Sequence, residues 1–338
     1  MKFSLKSTPA RKESGIWIVL LAGFTVWGWV AGCNSTVVIK QIQGPTQALF
    51  TATPVLPTVT STPNTHYDFK LLIADMERNM PAAYSDGFSV PTKSDEQAFQ
   101  SMALDILNGN IAVPAASVSS FHYELAMLFD QGDTGAESYV LREQQPIQKG
   151  WGLFFFRKYA SQNIVVEAPH PVTDDNTPEV ALDLYRALQA KALIVAGANR
   201  DANIDNSADP AHAPDTIFQA IHIALFRLAG LPDKKTIFLQ IHGYSISEHS
   251  NIPQVVIGYN WQNDLDKDLL ISKIVSALQD NNITVGLCSG KKYQGLCGTT
   301  NVQRLVTEGG VFIHMELSRS LRNNDLGLVR ALRQALTP

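Results

Sequence analysis

The sequence is marked first by what it lacks. Positive charge is not in excess: the formal net charge is −4, which leaves no basic footprint for nucleic acid. Neither a Walker motif nor a dinucleotide fingerprint occurs, so nothing points to a phosphate-cradling loop. Ser245 and Ser247 lack the Gly-x-Ser-x-Gly elbow, which argues against a serine hydrolase. Cysteine is scarce, with three in 338 residues: Cys33, Cys288 and Cys297. No histidine lies near the last two in sequence, which disfavours a catalytic cysteine. No internal repeat is visible.

What is present divides into four stretches. Apolar residues make up 45% of the chain, enough for a real core. Residues 1–33 read as a targeting segment. Lys2, Lys6, Arg11 and Lys12 form a positive start, and residues 16–30 are apolar and uncharged. That run is short for a membrane span and ends in small residues. Val30-Ala31-Gly32-Cys33 resembles the bacterial lipobox, whose cysteine becomes the lipidated N-terminus. The resemblance implies an extracytoplasmic lipoprotein held to a membrane through lipid on Cys33; a plain signal peptide or membrane anchor is the alternative. Residues 34–65 carry Pro45, Pro54, Pro57 and Pro63 among many Thr and Ser. Such a composition cannot bury a core and reads as an extended tether.

Residues 66–119 read as a small helical accessory segment, with helical spacing over 69–76 and 98–107 and no evident chemistry. From 120 to 338 strands and helices alternate. Strands are expected at 138–142, 151–157, 164–167, 192–196, 237–241, 254–259, 284–287 and 311–315. Helices are expected at 178–190, 216–229, 267–280 and 320–336. The pattern implies an α/β fold of three layers, a mixed, mostly parallel sheet covered by helices on both faces. In an exported chain Cys288 and Cys297 most simply pair, across a polar loop.

Three stretches carry ligand-type side chains. Ile164-Val165-Val166-Glu167-Ala168-Pro169-His170 reads as a strand ending in a histidine. A polar turn follows, and then a helix expected to start at Thr177-Pro178-Glu179, with Thr177 as N-cap. A second apolar strand ends in His242-Gly243-Tyr244, and a third carries Glu316 at its far end. Open α/β sheets bind ligands at the carboxyl ends of their strands. Two histidines and a carboxylate are the donor set of a catalytic zinc site. His170, Glu179 and His242 are therefore the candidate metal ligands; Asp174 and Asp175 are alternatives to Glu179. Glu316 is the candidate acid/base, or a partner of Arg319 or Arg322 on the following helix. Asn199 and Arg200 follow another strand and read as substrate-binding or as cap and surface residues. Arg322 and Tyr244 complete the candidate substrate contacts. Asp209 and His212 remain open between a supporting partner, a substrate contact and a replacement ligand. His222 and His314 fall inside a helix and a strand and read as structural.

The order His170…Glu179…His242…Glu316 resembles the zinc carboxypeptidase superfamily, over residues 139–322. The resemblance is nearest to its poly-γ-glutamate hydrolase and N-formylglutamate amidohydrolase-like branches, because the first His and Glu are farther apart here than in the His-x-x-Glu of the carboxypeptidases. It implies zinc as the cofactor, Glu316 as the general acid/base, and the Asn199-Arg200 pair as a substrate-binding dyad. The expected function is a lipid-anchored zinc amide hydrolase acting on a peptide, γ-glutamyl or acyl-amino-acid substrate. The rival is a surface-tethered binding lipoprotein, catalytically inactive on the same fold.

Overall fold

A computed structural model describes residues 66–337, apart from 134–135, 229–235, 246–250, 261–264, 290–291 and 308–309. The targeting segment, the tether and Cys33 lie outside these residues. The strands in chain order are β1 His66–Tyr67, β2 Tyr123–Asp130, β3 Glu137–Glu143, β4 Leu153–Arg157, β5 Ile164–Ala168, β6 Ala192–Val195, β7 Ile237–Tyr244, β8 Val255–Tyr259, β9 Val285–Leu287 and β10 Val311–Ser318. The helices are α1 Phe69–Asn79, α2 Lys93–Leu107, α3 Ala112–Ser117, α4 Thr177–Ala187, α5 Ile217–Leu228, α6 Leu265–Asp280, α7 Val302–Val306, α8 Arg319–Arg322 and α9 Leu326–Leu336. Among the described residues no helix is long and apolar enough to cross a membrane.

Side chains alternate across a strand, so a strand buried on both faces feeds two cores. β4 shows this plainly: Leu153 and Phe155 enter one core, Phe154 and Phe156 the other. The first core is covered by α1, α4, α6 and α9, and the second by α2 and α5. The fold is thus three layers, α/β/α. The ten described strands form one sheet in the order β1-β2-β3-β4-β6-β5-β7-β10-β8-β9. Five of its neighbour pairings are parallel and four antiparallel, a mixed sheet with a parallel centre.

Local signals explain the elements of the first third. Asp68 accepts the Lys70 N–H at 3.0 Å and so caps α1, which buries Phe69, Leu72, Ile73 and Met76 at helical spacing. Thr92 and Asp95 form a capping box that starts α2, which buries Phe99, Met102, Ala103 and Ile106. These helices supply side chains to the two cores of the sheet itself.

Several details depart from the sequence expectations; besides the short elements β1, α3 and α7, none of them expected, three bear on the sheet and the site. β2 was not foreseen; it joins the sheet between β1 and β3. Its middle residues are only half-buried, so it shows no clean apolar alternation. The helix expected over 320–336 is broken, α8 ending at Arg322 with Asn323 as its C-cap and α9 starting after Asp325. The helix after β5 begins one residue early. Asn176, in the left-handed conformation at φ +65°, precedes it, and Thr177 is its first helical residue rather than its cap. The chain reaches α4 through a tight turn that only a residue tolerant of that conformation can close.

The centre of the sheet sets the site. β5 lies between β6 and β7 and is parallel to both. The chain leaves β5 through α4, under one face, to reach β6; it returns through α5, over the other face, to reach β7. The two crossovers diverge at the carboxyl ends of β5 and β7. That divergence is the crevice where open α/β sheets place their ligands.

Candidate metal site

His170 lies two residues beyond β5 and His242 near the carboxyl end of β7, and their rings meet edge to face with centroids 4.8 Å apart. The carboxylate that joins them is Asp174. The chain after β5 curls at once: the Asp174 N–H donates to the His170 carbonyl at 3.0 Å and the Thr177 N–H to the Asp174 carbonyl at 3.1 Å. This turn carries the Asp174 side chain back over the strand end. Its Oδ2 lies 3.2 Å from His170 Nδ1 and 3.4 Å from His242 Nδ1, and it accepts the Gly243 N–H at 3.1 Å. His170, Asp174 and His242 are buried, and one donor atom from each lies within 4.8 Å of the others.

Glu179 does not join them. It sits in the first turn of α4, where its Oε2 is buried with no hydrogen-bond partner among the described residues. There it adds to the burial that pushes Glu77 of α1 up to about 7. The reason is geometric: the turn brings residue 174 to the histidines, while the first turn of α4 directs Glu179 toward α1. Asp174, the alternative carboxylate, takes the position expected for Glu179.

The outer faces of both imidazoles fix their tautomers. His170 Nε2 lies 2.9 Å from Asp209 Oδ1, and a carboxylate can only accept, so Nε2 carries a hydrogen. His242 Nε2 lies 2.8 Å from Gln240 Oε1. Gln240 cannot turn over, because its Nε2 donates to the fully buried Glu167 carboxylate at 2.9 Å. Nε2 of His242 therefore donates as well. In both neutral rings the Nδ1 lone pair then faces Asp174. Two lone pairs and a carboxylate converge in a buried space where the nearby donors are the Gly243 N–H, on Asp174 Oδ2, and the Arg200 guanidinium, 3.4 Å from His170 Nδ1; a shared cation would satisfy all three acceptors together. A metal ion fits this donor set, and the acceptors behind each ring are what metal-binding histidines require.

Without a metal a proton takes that role. Burial lowers the His170 pKa, but hydrogen bonds to Asp174 and Asp209 outweigh it and lift the ring to about 9. Burial, with His314 and His170 close by, pushes His242 down to about 4. Burial opposes ionisation of Asp174, yet hydrogen bonds from His170 and His242 win and hold its carboxyl far below the usual range.

Glu316 stands beside the group. β10 pairs in parallel with β7 so that Glu316 is the register partner of His242. Phe312, His314 and Glu316 share one face of β10, while Val311, Ile313 and Met315 fill the core on the other. A cleft of about 650 Å³ opens over the site, lined by His170, Asp174, His242, Tyr244, Glu316 and Arg319 among others. A second arm of about 220 Å³ shares His170, Arg200, His242 and Glu316 and runs under the loop 295–301.

The remaining candidates divide. Arg200 lines both arms, its guanidinium tied to Asp209 and within 3.4 Å of His170 Nδ1. Asn199 instead turns its Oδ1 to the Asp201 N–H at 2.9 Å, closing a local turn, so the pair does not act as a dyad in the cleft. Tyr244 lines the larger arm and donates its hydroxyl to the Pro253 carbonyl at 2.7 Å. Arg322 also lines it, but its guanidinium is engaged: it donates to Asp175 Oδ1 and the Asp175 carbonyl at 2.7 Å each and to the Leu317 carbonyl at 2.6 Å. It braces the turn after β5 against β10, and a Cβ at Gly243 would strike it. Neither Arg319 nor Arg322 pairs with Glu316; both bind Asp175. Asp209 supports His170, Arg200 and His212 from behind. His222 is structural, as read from its helix: its ring joins the buried Glu167 at 2.7 Å and Thr307 Oγ1 at 2.9 Å.

Sequence reasoning passed over Gln240 and Glu167. The signal for Gln240 was its place two residues before His242, on the same face of the strand. Cys288 and Cys297 form a disulfide, as expected, beside the smaller arm.

No family model matches the sequence, and no curated protein matches it. Solved structures do align with the fold. A bacteriophage poly-gamma-glutamate hydrolase is 14% identical over 51% of this chain and 82% of its own, with a TM-score of 0.35. An aspartoacylase family protein from Mesorhizobium loti is 16% identical over 63% and 70%, with a TM-score of 0.36. A metallo-carboxypeptidase from Burkholderia cenocepacia is 11% identical over 73% and 69%, also at 0.36. Likenesses at these scores assign the chain to no family.

Proposed function

We propose that this chain is a zinc-dependent hydrolase that cleaves an amide bond in a peptide or acyl-amino-acid substrate. The observation that carries the reading is the convergence of His170 Nδ1, His242 Nδ1 and an Asp174 carboxylate oxygen with Glu316 one strand away. His170, Asp174 and His242 would hold the zinc. Zinc there supplies the usual chemistry of such sites, lowering the pKa of water and polarising a carbonyl. Glu316 takes a proton from the attacking water and delivers it to the leaving amine. Arg200, at the junction of the two arms, is placed to hold a substrate carbonyl or carboxylate. The reading includes export and lipid attachment at Cys33, supported by the lipobox-like Val-Ala-Gly-Cys and by a disulfide of the kind found outside the cytoplasm.

Metal analysis of the purified protein tests it. One equivalent of zinc is expected, lost in the His170→Ala His242→Ala double variant. Incubation with a panel of acyl-amino acids and γ-glutamyl peptides should release a free amine. Glu316→Gln should keep the zinc and lower turnover by ~10²–10⁴. A protein that binds no zinc, or a Glu316→Gln variant with near-native turnover, would refute this assignment.

A further inference from the structure

β7 and β10 are adjacent and parallel, and their register places His314 beside Gln240 and Glu316 beside His242. On the face toward α5 these four side chains form two rows. The outer row, His242 and Glu316, borders the cleft. The inner row, Gln240 and His314, lies one pleat deeper on the same face, with His314 also lining the smaller arm. Each inner residue reaches out to the residue two places on: Gln240 Oε1 holds His242 Nε2 at 2.8 Å, and His314 Nε2 lies 3.1 Å from Glu316 Oε1. The arrangement repeats one device on two strands.

The His314 ring is pinned. Its side chain is 4% exposed, and the ring lies over that of His242 with centroids 4.3 Å apart. Nδ1 is buried and has no hydrogen-bond partner among the described residues. The backbone of Gly298, at φ +55°, closes that edge, since a Cβ there would come within 2.6 Å of Nδ1. Any side chain at 298 would push the ring out of place. A carboxylate only accepts, so the hydrogen of His314 sits on Nε2 and points at Glu316.

We propose that His314 is a positioning residue for Glu316, and this rests on the acid/base reading of Glu316. Its Nε2–H fixes Oε1 and leaves the other carboxylate oxygen for the cleft. A glutamate with three side-chain torsions is thereby held in one orientation beside the metal ligands. Misplacement of a reacting group by about 1 Å costs ~10²-fold in rate, which sets the size of the effect.

The test uses the zinc-loaded full-length protein, with N-acetyl-L-glutamate and γ-glutamyl peptides as probe substrates. His314→Phe keeps a ring over His242 and removes the donor; kcat should fall ~10²-fold, with KM and zinc content little changed. His314→Gln retains an N–H donor and should recover most of that loss. In a Glu316→Gln background, His314→Phe should cost nothing further, because the positioned group is already gone. Imidazole ¹⁵N spectra supply a readout independent of turnover: native His314 should carry its hydrogen on Nε2, and that signal should move in Glu316→Ala. Losses that add in the double variant, or a hydrogen found on Nδ1, overturn the positioning role while the enzyme reading stands. Absence of zinc and of hydrolysis in the native protein overturns the enzyme reading and this role with it.

Discussion

At the scale of single residues the decisive contrast is Asp174 against Glu179. Both are carboxylates between the two histidines in sequence, and a helix start is the conventional place to look for an anion-bearing ligand. The outcome depended on a turn. Asp174, four residues after His170, is carried back by its own N–H bond to the His170 carbonyl. Glu179 is turned toward Glu77 instead. Zinc content should discriminate cleanly. Asp174→Asn should weaken zinc binding by at least the ~10–100-fold that loss of a mere supporting partner costs. Glu179→Gln should leave zinc stoichiometry unchanged. The reverse pattern, measured by metal analysis after dialysis, would restore Glu179 to the site. The strand-end histidines and Glu316 were legible because an apolar run that stops at a ligand-type residue marks a strand end. Asp174 was legible only as an alternative, since no pattern in the sequence states how tightly a polar turn will curl. Gln240 carried only a faint signal, its place two residues before His242: a glutamine in an apolar strand declares its purpose only when its neighbours across the sheet are known.

Elements show the same division. Strands with β-branched or aromatic runs, such as β4, β5, β7 and β10, were readable from composition. β2 was not, because half-buried positions blur the period. Phe155 illustrates what the readable strands do. It sits between Phe69 of α1, 4.8 Å away by ring centroid, and Tyr185 of α4, at 6.3 Å. Phe155→Ala should destabilise by ~3–5 kcal/mol, the usual cost of emptying such a site, measured by denaturant unfolding. The α1–α4 contact also carries a pH dependence. Burial, and then the Glu179 charge, raise Glu77 from its ordinary 4.5 to about 7. A raised carboxyl favours the fold when protonated, so its contribution is complete below about 4.5 and is lost as pH climbs through 7. Glu77→Gln should therefore be more stable than the native protein at pH 8, with the gap closing at pH 4. Melting temperatures that run parallel across that range would reject the linkage.

Over the whole molecule, the order of the strands turns three local accidents of sequence into one site. His170 and His242 are far apart in the chain, yet β5 and β7 are neighbours because the crossovers through α4 and α5 go opposite ways. Glu316 arrives from the end of the chain because β10 adds beside β7. The alternation of strands and helices announced an α/β sheet; the adjacency of these strands was not written in any one segment. It also means that a metal bound by His170, Asp174 and His242 ties together the central strand, its following turn and the neighbouring strand. Binding to the folded state alone stabilises it by about 4.1 kcal/mol when free zinc is at ~1,000 times its Kd. A domain of this size shifts its melting temperature by roughly 2–4 °C for each kcal/mol. Chelation of zinc should thus lower the Tm by on the order of 10 °C, reversed by adding zinc back. The Asp174→Asn variant should melt near the chelated native protein and respond to neither treatment. If chelation demonstrably strips the metal and the native Tm does not move, the three side chains do not form a folded-state metal site, and the convergence of acceptors at the ends of β5 and β7 is relieved by the His170 proton with the Gly243 N–H and the Arg200 guanidinium.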